Sequence, residues 1–156
     1  MTAQKNGNKL SALMAAAEKG DSGLVGKLIG EGADVNAATL RGVTALMIAA
    51  MMGKSDVVRL LATHGADVNA KAQGGKTPLM YAAVSGSEAA VRALLENGAD
   101  VNAEDKYGRN VSDYATEEDV VKTLQEHGAK SKDFGLASAW ATELTGDALM
   151  EILFPF

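Results

Sequence analysis

Cysteine is absent from the 156 residues, proline occurs twice, and aromatic side chains make up only 4%. Without a thiol there is no disulfide staple, no thiolate metal site and no cysteine nucleophile. No window holds 18 consecutive apolar residues, which speaks against a transmembrane helix and a membrane partner. The opening MTAQKNGNKL lacks the apolar core of a secretory signal. The expectation is a soluble chain with a cytoplasmic place favoured, the periplasm staying open if a signal has been removed. Basic runs are missing too. Fifteen Lys and Arg stand against 20 Asp and Glu, for a net charge of −5, and such a chain has no electrostatic footprint for nucleic acid. What remains is a 47% hydrophobic composition, normal for a folded chain, and a length that suits one domain.

The few aromatics are unevenly placed. Phe134, Trp140, Phe154 and Phe156 all follow residue 133, and the preceding chain holds only Tyr81, Tyr107 and Tyr114. Residues 133–156 are a different kind of segment from the rest.

The dominant signal is internal repetition. Gly-Ala-Asp-Val-Asn-Ala occurs at 32–37, 65–70 and 98–103, and residues 42–74 laid over 75–107 agree at 16 of 33 positions. Ordinary residue frequencies give about 2 such agreements by chance. Each unit reads as two short helices. Thr44 and Thr77 suit an N-cap, and Pro78 sits where a helix has no use for its missing N–H. Leu46, Ala49 and Ala50 share a face, as do Leu79, Ala82 and Ala83, before Gly53 or Gly86 ends the helix. A second helix carries Val58 and Leu61, or Val91 and Leu94, on one face and ends at Gly65 or Gly98. A unit this short cannot bury both apolar faces alone, and stacking copies side by side solves that as a solenoid.

These residues resemble the ankyrin-repeat family, in the style of stand-alone bacterial members. The likeness lies in the 33-residue period, the Thr-Pro-Leu opening and the Gly-Ala-Asp-Val-Asn ending, and it covers roughly residues 8–130. It implies an all-α solenoid of four helix-turn-helix units, at about 9–41, 42–74, 75–107 and 108–132. The domain then spans 1–132 and its outer units act as caps. Three departures stand out. Met14, Met47 and Met80 replace the His of the family, so polar bonding between units is expected to be weaker. Lys9 stands where later units have Gly42 and Gly75. The fourth unit has Asn110-Val-Ser-Asp for its opening and is three residues short near Ala115–Asp119, with Glu117, Glu118 and Asp119 suited to a helix N-terminus and Val121 and Leu124 keeping its apolar face.

The tail, 133–156, carries no repeat signal but is rich in Trp140, Leu149, Ile152, Leu153, Phe154 and Phe156. Thr145 or Asp147 is suited to cap a helix that Pro155 ends. Dense apolar content at a terminus calls for cover. Three readings stay open: an added cap on the fourth unit, a segment in the groove of its own or a neighbouring molecule, or no docking at all.

Chemical motifs dissolve on inspection. His64 and His127 each precede the glycine ending a second helix, a place that suits a partly positive group, and two such residues in different units make no metal cluster. Gly75-Lys76-Thr77 resembles the end of a phosphate-binding loop, but position 70 is Ala where that motif needs Gly. Asp133-Phe134-Gly135 lacks the catalytic loop that gives such a triplet meaning. No cofactor and no catalytic group is expected.

The resemblance implies binding on the concave side, at the junction tips and the exposed faces of the first helices. Carried onto this chain, those positions are Leu40, Arg41, Val43, Met51 and Met52, then Gln73, Lys76, Val84 and Ser85, then Lys106, Tyr107 and Arg109. Apolar and cationic side chains mix there, partly offset by Glu104 and Asp105. The combination favours an apolar and acidic segment of another protein or peptide. The expected function is a non-catalytic protein-interaction module. The alternative is a self-associating structural protein whose tail mediates dimerisation or masks the groove.

Overall fold

The computed structural model describes residues 2–130, with side chains from residue 9. The tail positions Trp140, Leu149, Ile152, Leu153, Phe154 and Phe156 lie outside the described residues. Eight α-helices follow one another: α1 (Thr2–Lys19), α2 (Ser22–Gly30), α3 (Ala45–Met51), α4 (Ser55–Thr63), α5 (Pro78–Ser85), α6 (Glu88–Glu96), α7 (Val111–Tyr114) and α8 (Glu118–Glu126). No strand forms among the described residues. An isolated antiparallel bridge joins Ala38 to Thr44. No helix among the described residues is long and apolar enough to cross a membrane.

The helices begin where capping chemistry lets them. The Thr44 hydroxyl accepts from the Met47 N–H at 3.3 Å, and the Thr77 hydroxyl from the Met80 N–H at 3.4 Å. Ser87 and Asp21 cap α6 and α2 in the same manner. At α7, Asn110 accepts from the Ser112 N–H while Asp113 accepts from the Asn110 N–H, both at 2.9 Å.

Two layers result. The first helices pack α1 on α3, α3 on α5 and α5 on α7; the second helices pack α2 on α4, α4 on α6 and α6 on α8. Alanine makes the close approach possible: Ala49, Ala50, Ala82 and Ala83 are wholly buried. Between the layers sit Leu46, Val57, Val58, Leu61, Leu79, Val91 and Leu94, all likewise buried. This is the all-α solenoid that the period implies.

The two ends depart from the repeat. α1 runs straight through Ser11 instead of starting there. Lys9 occupies the place of the tip glycines, so nothing halts the helix between Thr2 and Lys19. In the fourth pair the deletion falls on the first helix, since α7 has 4 residues where α3 has 7 and α5 has 8. Val121 is only half-buried, although its counterparts Val58 and Val91 are fully so. No described element packs beyond it, whereas its neighbour Val120 stays buried like its counterparts Val57 and Ala90.

Polar bonds between units do form, but away from the methionine positions. Met47 and Met80 are buried without polar links, but a ladder of asparagines does that work. Asn36 donates to the Gly65 carbonyl (3.0 Å) and accepts from the Asp67 N–H (2.7 Å). Asn69 repeats this with Gly98 (3.1 Å) and Asp100 (2.6 Å), and Asn102 with Gly128 (3.3 Å) and Lys130 (3.0 Å).

Candidate functional site

The chain entering each first helix folds into a tip. Each tip closes by the same backbone bond: Thr39 N–H to Val43 carbonyl (3.0 Å), Ala72 N–H to Lys76 carbonyl (2.9 Å), Asp105 N–H to Arg109 carbonyl (2.9 Å). Neighbouring tips are then tied together, Gln73 N–H to Arg41 carbonyl and Lys106 N–H to Gly74 carbonyl, both at 2.8 Å. Gly75 allows the second of these ties. Its φ is +78°, and a Cβ there would stand 2.9 Å from the Lys106 nitrogen.

Between the tied tips lies an open cleft of about 460 Å³, lined by Arg41, Val43, Ala72, Gln73, Gly74, Lys76, Tyr81, Lys106, Tyr107 and Arg109. Cations sit over aromatic faces around it. Arg109 lies 4.9 Å from the Tyr107 ring centre and 5.2 Å from that of Tyr114; Lys106 is 5.9 Å from Tyr107 and Lys76 is 5.9 Å from Tyr114. A ring face attracts a cation and restricts where it points.

Asp105 organises one wall. Its carboxylate is fully buried against the Arg109 Nε at 2.9 Å. It also accepts from the Tyr107 N–H (2.8 Å), the Arg109 N–H (3.0 Å) and the Tyr114 hydroxyl. Burial works to raise its pKa. The bonds from Tyr114, from the two backbone N–H groups and from the Arg109 guanidinium outweigh that and hold it at about 2. Tyr114 is driven the other way by burial and by the Asp105 carboxylate, up to about 12. Burial raises Tyr81 as well. The carboxylate is therefore committed to its own wall. Among the described residues, Arg41, Lys76 and Lys106 form no ion pair, whereas Arg109 does.

Of the twelve positions named from the sequence, Arg41, Val43, Gln73, Lys76, Lys106, Tyr107 and Arg109 come together around this cleft. Leu40 stands beside it at the apex of its tip, fully exposed. Met51, Met52, Val84 and Ser85 are exposed too, but they lie at the far ends of α3 and α5, roughly 10 Å away along a seven-residue helix. The Ser85 hydroxyl is spent on the Ala82 carbonyl at 2.6 Å. Absent from those twelve are Tyr81, which lines the cleft, and Tyr114, whose ring lies under Lys76 and Arg109; Asp105, read from the sequence as partly offsetting the cations, is tied to Arg109. The period held a clue: Ile48, Tyr81 and Tyr114 are 33 residues apart and occupy the same helix position.

The histidines end helices. His64 Nδ1 donates to the Leu60 carbonyl and His127 Nδ1 to the Thr123 carbonyl, both at 2.8 Å. Among the described residues no three His, Asp or Glu side chains converge as metal ligands do. The cleft offers charge-assisted donors, aromatic faces and a fixed backbone, which is the chemistry of recognition.

Residues 13–105 and 74–134 match the sequence model of a family described as ankyrin repeats (3 copies). No curated protein matches the chain.

Proposed function

The chain belongs to the ankyrin-repeat family, and from that premise we propose that it is a non-catalytic binding protein whose tips and first-helix faces hold an apolar and acidic segment of a partner. Ankyrin repeats are generally protein–protein interaction modules. We assign the binding domain to residues 1–132 and treat 133–156 as a separate appendage.

The observation that carries this reading is the cleft. Arg41, Lys76 and Lys106 line it without an ion-pair partner among the described residues, and an incoming carboxylate satisfies them. Exposed apolar side chains extend the face beyond it: Leu40 at the apex of its tip, and Met51, Met52 and Val84 farther off at the helix ends. Methionine adapts its shape to a partner. The tips are locked by backbone bonds before anything arrives, so association orders little of this chain. Tyr107, 70% exposed and bracketed by Lys106 and Arg109, has the character of an anchor residue, with Met51 and Met52 as apolar support.

Panning a random peptide library on the full chain tests the reading. Captured sequences are expected to combine Asp or Glu with large apolar residues. The triple variant R41E/K76E/K106E is expected to lose them. Peptides of no consistent charge, or capture untouched by the triple variant, contradict it.

A further inference from the structure

We propose that the cleft has a resident occupant, the segment Glu143–Phe156 of this same chain, which a protein partner must displace. The inference rests on the reading of the cleft as a site for apolar and acidic segments, and it adds how that site is controlled.

Placement comes first. The Lys130 carbonyl accepts from the Ser112 hydroxyl at 2.7 Å, and its N–H donates to Asn102 at 3.0 Å. The tether point is thereby pinned beside the start of α7. Arg109, on the cleft wall, is three residues from Ser112, at most about 11 Å of chain. The 12 residues 131–142 reach up to about 40 Å when extended. Reach is no obstacle.

Charge comes second. Between 143 and 156 the chain carries Glu143, Asp147 and Glu151 and no Lys or Arg. The three acids recur at every fourth position. Opposite them are Arg41, Lys76 and Lys106 on the cleft wall. Asp105 is neutralised by Arg109 and its hydrogen bonds; Glu104 stands exposed beside it, and Asp113 is held by the Asn110 N–H. The segment's apolar residues meet the second requirement, since Leu40 and Val84 stand exposed beside and beyond the cleft. Tethering then supplies the concentration. A segment a dozen residues from its anchor is present at roughly millimolar effective concentration, so a contact too weak to hold a free peptide is still populated. A partner of the same chemistry has to compete with it.

The absence of cysteine makes a clean experiment possible. Met150→Cys in the full chain creates a unique site for a nitroxide label, and the ¹⁵N amide spectrum reports which groups lie near it. The amides of Arg41, Gly74, Lys76, Lys106 and Tyr107 are expected to lose intensity. The loss is expected to persist on dilution, to be absent when labelled ¹⁴N chains are mixed with unlabelled ¹⁵N chains, and to disappear in the E143K/D147K/E151K background. Full intensity at those amides overturns the proposal. So does a loss seen in the mixed sample, which means a second copy is the occupant. An acidic peptide from the panning, added to the same protein, separates the two layers of argument. If it shifts the cleft amides while the label leaves them untouched, the resident segment is refuted and the interaction reading stands. If neither touches them, both fall.

Discussion

The Asp105 carboxylate and the Arg109 guanidinium meet at 2.9 Å inside the last tip, the carboxylate buried and the guanidinium half out in solvent. The corresponding residue of the preceding tip is Ala72, which leaves that turn to backbone bonds and two glycines. The last tip thus gains a side-chain clamp that also orients Tyr107 and Tyr114.

The clamp has a pH signature. The folded Asp105 has a pKa of about 2 against an ordinary 3.8, so the unfolded chain takes up this proton first. The stabilisation is complete above about pH 4 and is lost as pH falls through 2. Asp105→Ala, which copies Ala72, is expected to cost about 1–3 kcal/mol at neutral pH. Urea midpoints of the two proteins, measured from pH 7 down to pH 2.5, are expected to converge only below pH 4. A gap that stays constant or widens in acid refutes the assignment.

Asn69 ties α4's end to the next unit through two bonds, to the Gly98 carbonyl and the Asp100 N–H. Both groups are within reach of water, so their loss is partly compensated. Asn69→Ala is expected to lower stability by about 1–2 kcal/mol, with the urea slope unchanged. A neutral result would mean that the asparagine ladder does not join the units energetically.

Gly75 and Gly108 isolate a backbone contact. Both have positive φ, +78° and +73°, yet a Cβ at Gly75 meets the Lys106 nitrogen at 2.9 Å while one at Gly108 meets nothing within 4 Å. Each alanine substitution carries a conformational cost of about 1–2 kcal/mol. Gly75→Ala is expected to exceed Gly108→Ala because it also separates two tips, and it is expected to weaken peptide capture. Equal thermal midpoints for the two variants would remove the contact from the account.

Leu94 lies wholly buried between the helix layers. Leu94→Ala is expected to cost about 2–5 kcal/mol. Measured by urea unfolding, a loss below 1 kcal/mol would place it outside a close-packed core.

Much of this architecture was legible in the chain itself. The 33-residue period, the capping of Thr44 and Thr77 and the burial of Leu46, Ala49, Val58 and Leu61 all follow from spacing, because each unit solves one local problem repeatedly. What escaped was set by neighbours. α1 overruns Ser11 because an end unit has no preceding tip to stop for. Tyr81 and Tyr114 share a helix position with Ile48, and nothing in the spacing assigns them a role; only the stacked tips bring Tyr81 into the cleft lining and the Tyr114 ring under Lys76 and Arg109. Asp105 looked like one acid among several, and its burial depends on Arg109 folding back across the turn. Met51 and Met52 belong to the first-helix face in the sequence reading, and the rise of α3 carries them away from the cleft.

The most direct trial of the account is the affinity of a selected acidic and apolar peptide for K76A and K106A, with R59A as a control, since Arg59 is exposed on α4 away from the tips. Loss of one charge-assisted contact of about 1.4 kcal/mol is a tenfold weakening. K76A and K106A are expected to bind roughly tenfold more weakly in low salt and to converge on the parent protein in about 1 M salt, where the screening length is near 3 Å, with R59A indistinguishable from the parent throughout. Equal affinity for all four proteins, or a loss confined to R59A, would contradict a binding face built on the tips.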